Sequence, residues 1–513
     1  SVHPRRRRAL PEPWRSVWDC VMASMASSPS LEPEAEAAAE DQTPEQRAED
    51  LKAKGNAHLA SMHYSEAIEL YTQAIALHET AVYYGNRAMA HLKCESYGAA
   101  ILDADMALEL DANYVKAYYR RATGNFALGK YKLALKDYKA ACKMAPKDKQ
   151  ARLKFKECEK AVKAERFYAA IESDQTAPFS LSADKYSVEV SYDGPRLAED
   201  GVITVEFVRE MVEHMRNQKM IHKKYVTEIL NQAMDLMAGL PNCLDLRIPQ
   251  GHRFTVCGDV HGQFYDLLNI FALNGEPSAE NPFLFNGDFV DRGSFSVEVI
   301  LTLFAYKLAC PDSIHLTRGN HESKNMNKIY GFDGEVMHKL DNDISRLFTS
   351  VFCNIPLCAV LEDKVFIVHG GLASDDNVTI ADIQKINRNR EPPESGLMCD
   401  LMWADPQAMP GRAPSKRGIG LSFGPDVTEN FLQTNNLSLV VRSHEVRDEG
   451  YQVEQGGQLV TVFSAPNYCD QMGNKGAFIH FHLQNDLKPE FTSFSAVPHP
   501  PVKPMQYANM LMQ

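Results

Sequence analysis

Five short segments of this chain combine side chains that bind metal ions and phosphate. Residues 258–262 (GDVHG), 287–293 (GDFVDRG) and 318–322 (RGNHE) each place acidic, amide or histidine side chains beside glycine. Residues 368–371 (VHGG) and 442–445 (RSHE) add two histidines. Carboxylate oxygen and imidazole nitrogen, without thiolates, suit borderline divalent cations. One carboxylate shared by two such cations holds them about 3.5–4 Å apart, a geometry that activates water against a phosphoryl group.

Each segment alone is weak evidence, because Asp and His occur in turns routinely. The elements around them strengthen the case. Apolar runs predict strands at residues 254–259, 283–288, 314–320 and 365–370, each running into one of the polar segments. Helical patterns lie between them, for example at 264–273 and 295–308. An α/β domain with catalytic loops at strand ends is therefore predicted.

With these motifs, the region 201–500 resembles the phosphoprotein-phosphatase family of metallophosphoesterases. The resemblance implies an α/β fold with a central β-sandwich flanked by helices. It implies two divalent metal ions, manganese, iron or zinc, with magnesium also compatible. The implied ligands are Asp259, His261 and Asp288 for one ion, and Asp288, Asn320, His369 and His444 for the other.

The resemblance also implies roles in hydrolysis of phosphoserine and phosphothreonine monoesters. His321 would be the general acid that protonates the leaving oxygen, oriented by Asp291. The implied substrate-binding residues are Arg292, Asn320, Arg417, Tyr468 and His444. Arg suits this task because its planar fork fits phosphate. A phosphodiesterase or nuclease, or an inert domain that only binds, are the alternatives.

Two positions depart from the family pattern. Ala404 stands where Ser is usual, and Thr317 stands where a small apolar residue is usual. Neither is a ligand position. Trp403 and Asp405 are expected to shape the rim of the site. Arg442 is expected to have a structural role and is not included among the catalytic residues.

A repeat precedes this region. Small and aromatic residues recur at offsets of 33 and 34 residues, which is typical of tetratricopeptide repeats, helix pairs that stack into a superhelix with a concave groove. The coincident sets are Leu51, Tyr84 and Tyr118; Gly55, Ala88 and Ala122; Ala67, Ala100 and Ala134; Tyr71, Ala104 and Tyr138; and Ala74, Ala107 and Ala141.

Polar residues at the groove positions resemble the carboxylate clamp of chaperone-binding tetratricopeptide domains. They are Lys52, Asn56, Asn86, Lys116 and Arg120. The resemblance implies a heat-shock chaperone ending in Glu-Glu-Val-Asp as partner, because Lys, Arg and Asn donors suit a doubly anionic tail. Solvated surface charges are the plain alternative.

Composition limits other functions. The net charge of −13 argues against general nucleic-acid or anionic-membrane binding, although local basic grooves remain compatible with it. Eleven cysteines, an odd number without a Cys-x-x-Cys pair, indicate reduced thiols in an intracellular protein, expected in cytoplasm and nucleus. No apolar run reaches the roughly 18 residues of a membrane span.

The predicted organisation has five parts: a disordered lead-in at 1–43, three repeats with a capping helix at 44–173, a linker at 174–200, the catalytic domain at 201–500, and a tail helix at 501–513. Met22 or Met25 is favoured as the true start. Together the two regions resemble phosphoprotein phosphatases that carry tetratricopeptide repeats in the same chain, and this resemblance implies autoinhibition by the repeats, supported by the tail helix and released by chaperone tails or fatty acids. Glu95 is expected to contact the catalytic face.

Overall fold

The computed structural model describes residues 42–172 and 179–508. Among these, residues 42–172 and 413–422 form one compact unit, and residues 179–412 and 423–508 form a second. None of the helices within the described ranges is both long and apolar enough to traverse a lipid bilayer.

The first unit is a series of antiparallel helix pairs followed by one longer helix. Along residues 42–172 the helices are α1 (Pro44–Ala60), α2 (Tyr64–Leu77), α3 (Ala81–Lys93), α4 (Tyr97–Leu110), α5 (Val115–Ala127), α6 (Tyr131–Met144) and α7 (Lys149–Glu172). Thr43 caps α1 in a capping box with Gln46, and Pro44 occupies the first turn. The predicted helical repeats are confirmed.

The small residues of the repeat are explained by close packing. A methyl group added at Gly55 would lie 2.8 Å from the ring of Tyr71, which is fully buried on α2. The hydroxyl of Tyr71 donates to Asn56 Oδ1 at 2.7 Å. Each pair therefore approaches closely where the sequence repeats small beside aromatic residues.

The second unit contains two β-sheets packed face to face, with helices outside. The helices are α8 (Val205–Arg216), α9 (Lys223–Ala238), α10 (Phe264–Asn274), α11 (Ser296–Ala309), α12 (Lys324–Tyr330), α13 (Phe332–Lys339), α14 (Asn342–Phe352), α15 (Ile380–Gln384), α16 (Leu397–Trp403) and α17 (Pro425–Asn435). The larger strands are β1 (Cys243–Leu246), β2 (Phe254–Cys257), β3 (Phe283–Asn286), β4 (Ile314–Thr317), β5 (Cys358–Leu361) and β6 (Val365–Val368). The remaining strands are β7 (Asp405–Pro406), β8 (Arg412–Pro414), β9 (Leu421–Phe423), β10 (Leu439–Arg442), β11 (Tyr451–Glu454), β12 (Leu459–Val462), β13 (Gly476–Phe481) and β14 (Glu490–Phe494). Residues 413–414 of β8 and 421–422 of β9 belong to the first unit.

The strand order explains why the polar loops meet. One sheet has the order β14-β13-β2-β3-β4, and the other β1-β5-β6-β10-β12-β11. Strands β2, β3 and β4 are parallel to one another, as are β6, β10 and β12. Buried side chains such as Val256, Leu284, Ile367 and Val441 form the core between the sheets. The expected β-sandwich flanked by helices is confirmed, and the four predicted strands are present.

The ends of the second unit differ from expectation. The predicted helix at 501–513 is wrong for residues 501–508, which form turns, while 509–513 lie outside the described residues. Residues that precede a proline, here Pro500 and Lys503, avoid the helical region, and Met505 has φ of 54°. Of the predicted lead-in at 1–43, residues 1–41 also lie outside the described residues.

Part of the predicted linker is ordered on this unit. Residues 173–178 lie outside the described residues, but 179–200 follow the surface of the second unit with one short turn, Ala183–Lys185. The hydroxyl of Tyr186 donates to Asp341 Oδ2 at 2.9 Å, and Asn231 donates to Leu181 O at 2.8 Å.

Arg388 joins three elements of the second unit. Its guanidinium donates to Asn242 Oδ1 at 2.6 Å, to the carbonyls of Met237 and Leu240 at 2.8 and 2.7 Å, and to Asn354 O at 3.0 Å. These acceptors lie at the end of α9, before β1 and after α14. One buried guanidinium therefore supplies hydrogen-bond donors to several oxygen acceptors that water does not reach.

Arg388→Met should lower the free energy of unfolding of the second unit by about 3 kcal/mol, because buried acceptors lose their donor. Urea denaturation followed by circular dichroism and by tryptophan fluorescence, to which Trp403 of this unit contributes, measures this. Arg390→Met is the matched control, since Arg390 is exposed two residues away. Equal stability of the two variants would contradict the assignment.

Candidate functional site

Five strand ends of the second unit bring the predicted ligand residues together. Asp259 and His261 follow β2, Asp288 follows β3, Asn320 and His321 follow β4, His369 follows β6, and His444 follows β10. All are at least nine-tenths buried. The two sheets thus contribute to a single cluster of side chains.

Asp288 lies at the centre of this cluster. Its Oδ2 is 3.2 Å from His369 Nε2, 3.6 Å from His261 Nε2 and 4.0 Å from His444 Nδ1. Asp288 therefore belongs to both groups of side chains that are close enough to hold a cation, which are His261, Asp288 and His321, and Asp288, His369 and His444. The structure places Asp288 between the two groups, and its role as a bridge stays a prediction.

The tautomers of two imidazoles favour metal binding. His261 Nδ1 lies 2.9 Å from Val290 O, and His369 Nδ1 lies 2.8 Å from Asn286 O. A carbonyl accepts only, so each Nδ1 carries the proton and each Nε2 presents a lone pair to Asp288. Lone pairs facing carboxylate oxygens repel unless cations lie between them.

The pKa shifts of Asp259 and His369 also favour binding of cations at this cluster. Burial raises the pKa of Asp259 to about 7 and lowers the pKa of His369 below its usual range. Both pKa values shift because burial removes the water that would stabilise the charged form of each side chain. Divalent cations would stabilise the carboxylate and the neutral imidazole together, and the donor set fits manganese, iron or zinc better than a thiolate-selecting ion.

Asn320 and Asp259 complete the predicted ligand sets. Asn320 Oδ1 is 2.9 Å from His369 Nε2, and Asp259 Oδ2 is 3.7 Å from His261 Nε2. Asp259 Oδ1 also accepts a hydrogen bond from the backbone N–H of His444 at 3.1 Å. The two sheets are therefore linked directly through the first and last ligand residues.

The backbone of the site is strained. His261, Asp288, Asp291, Arg292 and His444 all have φ between 40° and 70°, a region that non-glycine residues seldom adopt. Such conformations persist only where surrounding contacts determine them, and they cluster at functional sites.

Glu322 supplies much of that support, and sequence reasoning assigned it no role. Its carboxylate accepts hydrogen bonds from the N–H groups of Asp288, Phe289 and Gly319, at 2.8, 2.8 and 2.9 Å. It thereby holds the loop after β3 against the loop after β4. The signal available in the sequence was an acid immediately following the predicted general acid.

His321 and Asp291 form a buried pair. His321 Nδ1 lies 2.8 Å from Asp291 Oδ2, and the backbone N–H of His321 donates to Asp288 Oδ1 at 2.8 Å. Asp291 also accepts hydrogen bonds from Phe332 N and Asn327 Nδ2. Burial raises the pKa of Asp291 to about 7, while these donors oppose the rise. The pair leaves His321 Nε2 as the nitrogen that can exchange a proton with a substrate.

Tyr330 is a second residue that sequence reasoning missed. Its ring lies 3.7 Å from the guanidinium carbon of Arg292 and 5.1 Å from the ring of His321, measured between ring centroids for the histidine. Its carbonyl accepts a hydrogen bond from Arg292 N at 3.1 Å. No sequence motif marks it, because its importance arises only from packing between two polar groups.

Arg292 is also held by the C-terminal segment. Met505 N donates to Arg292 O at 2.8 Å, and Met505 Sδ lies 3.9 Å from Arg292 Nη1. Ser294 Oγ donates to Lys503 O at 2.6 Å beside this contact. The segment that was expected to form a helix therefore contacts the predicted phosphate-binding arginine.

Three further residues were predicted for the site or its rim: Tyr468, Arg417 and Trp403. Tyr468 lies beside the metal cluster, with its ring 5.2 Å from that of His261. Arg417 lies within 413–422, which belongs to the first unit, and its part in the site stays a prediction. Trp403 packs edge-on against His444.

Asp405 differs from the expected rim position because it is buried and paired with Arg442. Arg442 Nη2 donates to Asp405 Oδ1 at 2.9 Å, and Arg442 Nε donates to Gly370 O at 2.7 Å. The structural interpretation of Arg442 agrees with these contacts, because it links the loops that carry His369 and His444.

The predicted clamp residues lie on the first helix of each pair in the first unit. Lys52 and Asn56 are on α1, Asn86 is on α3, and Lys116 and Arg120 are on α5. Asn86 Nδ2 donates to Asn56 Oδ1 at 3.1 Å, and Lys52 is paired with Glu49. Arg120 is nearly buried, whereas Lys116 is exposed. Glu95, with φ of 59°, lies in the turn between α3 and α4.

Comparison with known proteins identifies the family. The model of the calcineurin-like phosphoesterases matches residues 252–448, and that of the PPP5 TPR repeat region matches residues 155–245. Serine/threonine-protein phosphatase 5 of Homo sapiens is 53% identical over 91% of this chain and 94% of its own length. Serine/threonine-protein phosphatase T of Trypanosoma brucei brucei is 52% identical over 90% of this chain and 98% of its own.

A solved structure agrees with these matches. The protein serine/threonine phosphatase from Saccharomyces cerevisiae with similarity to human phosphatase PP5 superposes with a TM-score of 0.57 at 44% identity. It covers 59% of this chain and 99% of its own. The chain belongs to the serine/threonine-protein phosphatase 5 family, within the calcineurin-like phosphoesterases.

Proposed function

We propose that this enzyme hydrolyses phosphoserine and phosphothreonine monoesters in proteins, using two divalent cations. The single observation that carries the proposal is the position of Asp288, which faces three imidazoles and lies next to the His321–Asp291 pair. The same cluster thus contains a site for cations and a proton donor for the leaving group.

When bound, two divalent cations would polarise the phosphoryl group and lower the pKa of a water molecule. The chain supplies the rest. Asp259, His261 and Asp288 would hold one cation, and Asp288 with three further side chains the other. Those three are Asn320, His369 and His444, and Asn320 and His444 would also contact the substrate.

Arg292, together with Arg417 and Tyr468, would bind the phosphate oxygens. The Arg292 guanidinium lies flat against Tyr330, so its orientation is restricted before substrate arrives. A restricted donor loses less conformational freedom on binding than a mobile one.

His321 would donate the proton that the departing serine or threonine oxygen needs. Asp291 accepts from His321 Nδ1 and so leaves the proton of Nε2 for the leaving group. An ionised Asp291 would favour the protonated imidazole that this step requires.

Asp288→Asn should lower turnover of a phosphoserine peptide by at least about 10³-fold and lower the bound metal content, because the bridge carries less charge. Turnover after chelation should return on addition of manganese. Elemental analysis and steady-state kinetics measure both effects. Asp486→Asn, at an exposed turn with similar φ, is the control. Unchanged hydrolysis and metal content would refute the site.

His321→Ala separates the acid from the metal site. It should keep its metal and lose about 10²–10⁴-fold on the phosphoserine peptide. It should lose far less on 4-nitrophenyl phosphate, whose leaving group needs little protonation. Preferential cleavage of a bis-phosphodiester by the parent protein would instead favour a phosphodiesterase.

We further propose that the groove of the first unit binds a chaperone tail ending in Glu-Glu-Val-Asp. Lys and Arg at the clamp positions would supply charge-assisted donors, and Asn56 and Asn86 would supply directional amides. The 3.1 Å contact between those two amides supports a shared polar surface across α1 and α3.

Lys116→Ala combined with Arg120→Ala should abolish measurable binding of a peptide with this ending, because two cations of the clamp are lost. Isothermal titration calorimetry provides the measurement, and circular dichroism checks that the repeats still fold. Lys93→Ala, at an exposed position outside the clamp, is the control. An amidated peptide should bind weakly to the parent, and undiminished binding would place the site elsewhere.

Autoinhibition by the repeats completes the proposed function, with chaperone tails or fatty acids as activators and the cytoplasm and nucleus as its location. Glu95 is the proposed contact, and the tail at 501–513 is its proposed support. The contact of Met505 with Arg292 supports a regulatory part for that segment.

Deleting residues 1–175 should raise turnover of a phosphoserine peptide severalfold, because the catalytic loops would no longer be covered. Glu95→Gln in the full chain should reproduce part of the increase. Lys93→Gln, on the helix before that turn, is the matched control. Equal turnover of the deleted and full-length proteins would remove autoinhibition from the proposed function.

A further inference from the structure

Positive charge is concentrated at the end of the repeat unit. Residues 130–163 contain twelve Lys and Arg but four Asp and Glu, a local charge of +8 in a chain of net charge −13. Such segregation is uncommon for a solvated surface of mixed charge. It falls on two helices that pack together, α6 and α7, joined by the contact of Cys158 with Tyr131 O.

On α6 the cations form one stripe. Lys132, Lys136, Lys139 and Lys143 are all exposed and lie at intervals of four, three and four residues. This spacing places them on a single helical face. The opposite face buries Ala134, Tyr138 and Ala141 against the other helices.

A second stripe runs along α7. It consists of Lys149, Arg152, Lys156, Lys160 and Lys163, all exposed, at intervals of three, four, four and three residues. The opposite face of α7 buries Ala151 and Cys158. These nine cations of α6 and α7 are named the lysine face.

The acidic residues of this segment leave the charge largely uncompensated. Asp137 is buried and paired with Arg121 at 2.7 Å. Asp148 caps α7 by accepting from Gln150 N and Ala151 N. Glu157 lies 3.9 Å from Lys154, which is itself buried and outside the lysine face. Glu159, the fourth acid, is half-buried next to Lys160 in the sequence and offsets part of the charge of the second stripe.

Exposed apolar side chains accompany the cations. Leu153 is 49% exposed and lies four residues after Lys149 and three before Lys156, within the same stripe. Leu133 is 54% exposed, next to the stripe of α6. Leucines between lysines on a helical surface are typical of helices that lie in the interface of an anionic bilayer.

We propose that the lysine face binds the surface of membranes that contain anionic lipids. At 1.5 Å per residue, the two stripes extend about 16 Å and 21 Å, long enough to cover several headgroups. Clusters of four to eight Lys or Arg on an amphipathic helix are sufficient for phosphatidylserine or phosphoinositide surfaces.

The composition of the face favours lipid over nucleic acid. Eight of its nine cations are Lys, which acts as a point charge, whereas nucleic-acid surfaces favour Arg forks and aromatic stacking. The cations point away from the helical core rather than into a cleft, as a planar partner requires. The proposed clamp uses other residues, so both partners could bind at once.

The test is co-sedimentation of the full chain with vesicles of equal parts phosphatidylcholine and phosphatidylserine. Lys136→Gln, Lys139→Gln and Lys143→Gln together should weaken binding roughly a hundredfold, at about fivefold per cation near an anionic surface. The corresponding triple change at Lys156, Lys160 and Lys163 should act similarly. Binding by the parent should fall with added salt and be absent on pure phosphatidylcholine.

The matched control removes equal charge elsewhere. Lys54→Gln, Lys93→Gln and Lys488→Gln, all at exposed positions outside the lysine face, should leave vesicle binding within about twofold of the parent. Peptide binding at the clamp and turnover of phosphopeptide confirm that each variant is folded. Equal loss in the control, no binding by the parent, or binding to RNA but not to vesicles would each overturn the proposal.

Discussion

The arrangement of this enzyme depends on electrostatic repulsion between hydrogen-bond acceptors around Asp288. One carboxylate oxygen faces Nε2 of His261, Nε2 of His369 and Nδ1 of His444, at 3.6, 3.2 and 4.0 Å. For His261 and His369 the backbone carbonyls take the other nitrogen, so the lone pairs are directed inward. Folding thus concentrates acceptors in a dry pocket, where divalent cations would stabilise them. The donor set and the burial follow from that requirement.

Side chains that repel one another stay close together only in a rigid structure. Hydrogen bonds between buried polar groups provide that rigidity. Asn286, at the end of β3, donates to Val368 O and to Ser443 Oγ, and so joins the two sheets where the ligand loops begin. Thr317 donates to Asn286 Oδ1 at 2.7 Å. The hydroxyl that departs from the family pattern therefore adds a hydrogen bond to the frame. Each of these groups is fully buried, so the loss of one would leave its partners unsatisfied.

Much of the fold and the site could be predicted, because the signals are local. Apolar runs followed by Gly-Asp or Asn-His mark strands and their loops, and small residues at regular offsets mark helix pairs. Glu322 and Tyr330 could not be assigned, since their roles arise from loops that meet only after folding. Asp405 was expected at the rim and is instead buried in an ion pair with Arg442. The sequence does not show which acidic side chain will pair with a buried arginine. The tail at 501–513 was expected to be helical, but within its described part, residues 501–508 form turns in which Met505 has φ of 54°.

The tail also changes which residues belong to the catalytic machinery. Arg292 has a strained backbone with φ of 67°, and three contacts restrain it: Tyr330 O accepts from its N–H, the ring of Tyr330 lies under its guanidinium, and Met505 N donates to its carbonyl. The first two come from Tyr330 at the end of α12, and the third from more than two hundred residues away. Met505 itself has φ of 54°, outside the helical region, and its N–H donates to Arg292 O rather than to a carbonyl of its own segment. This contact restrains the arginine that the proposed function assigns to phosphate binding.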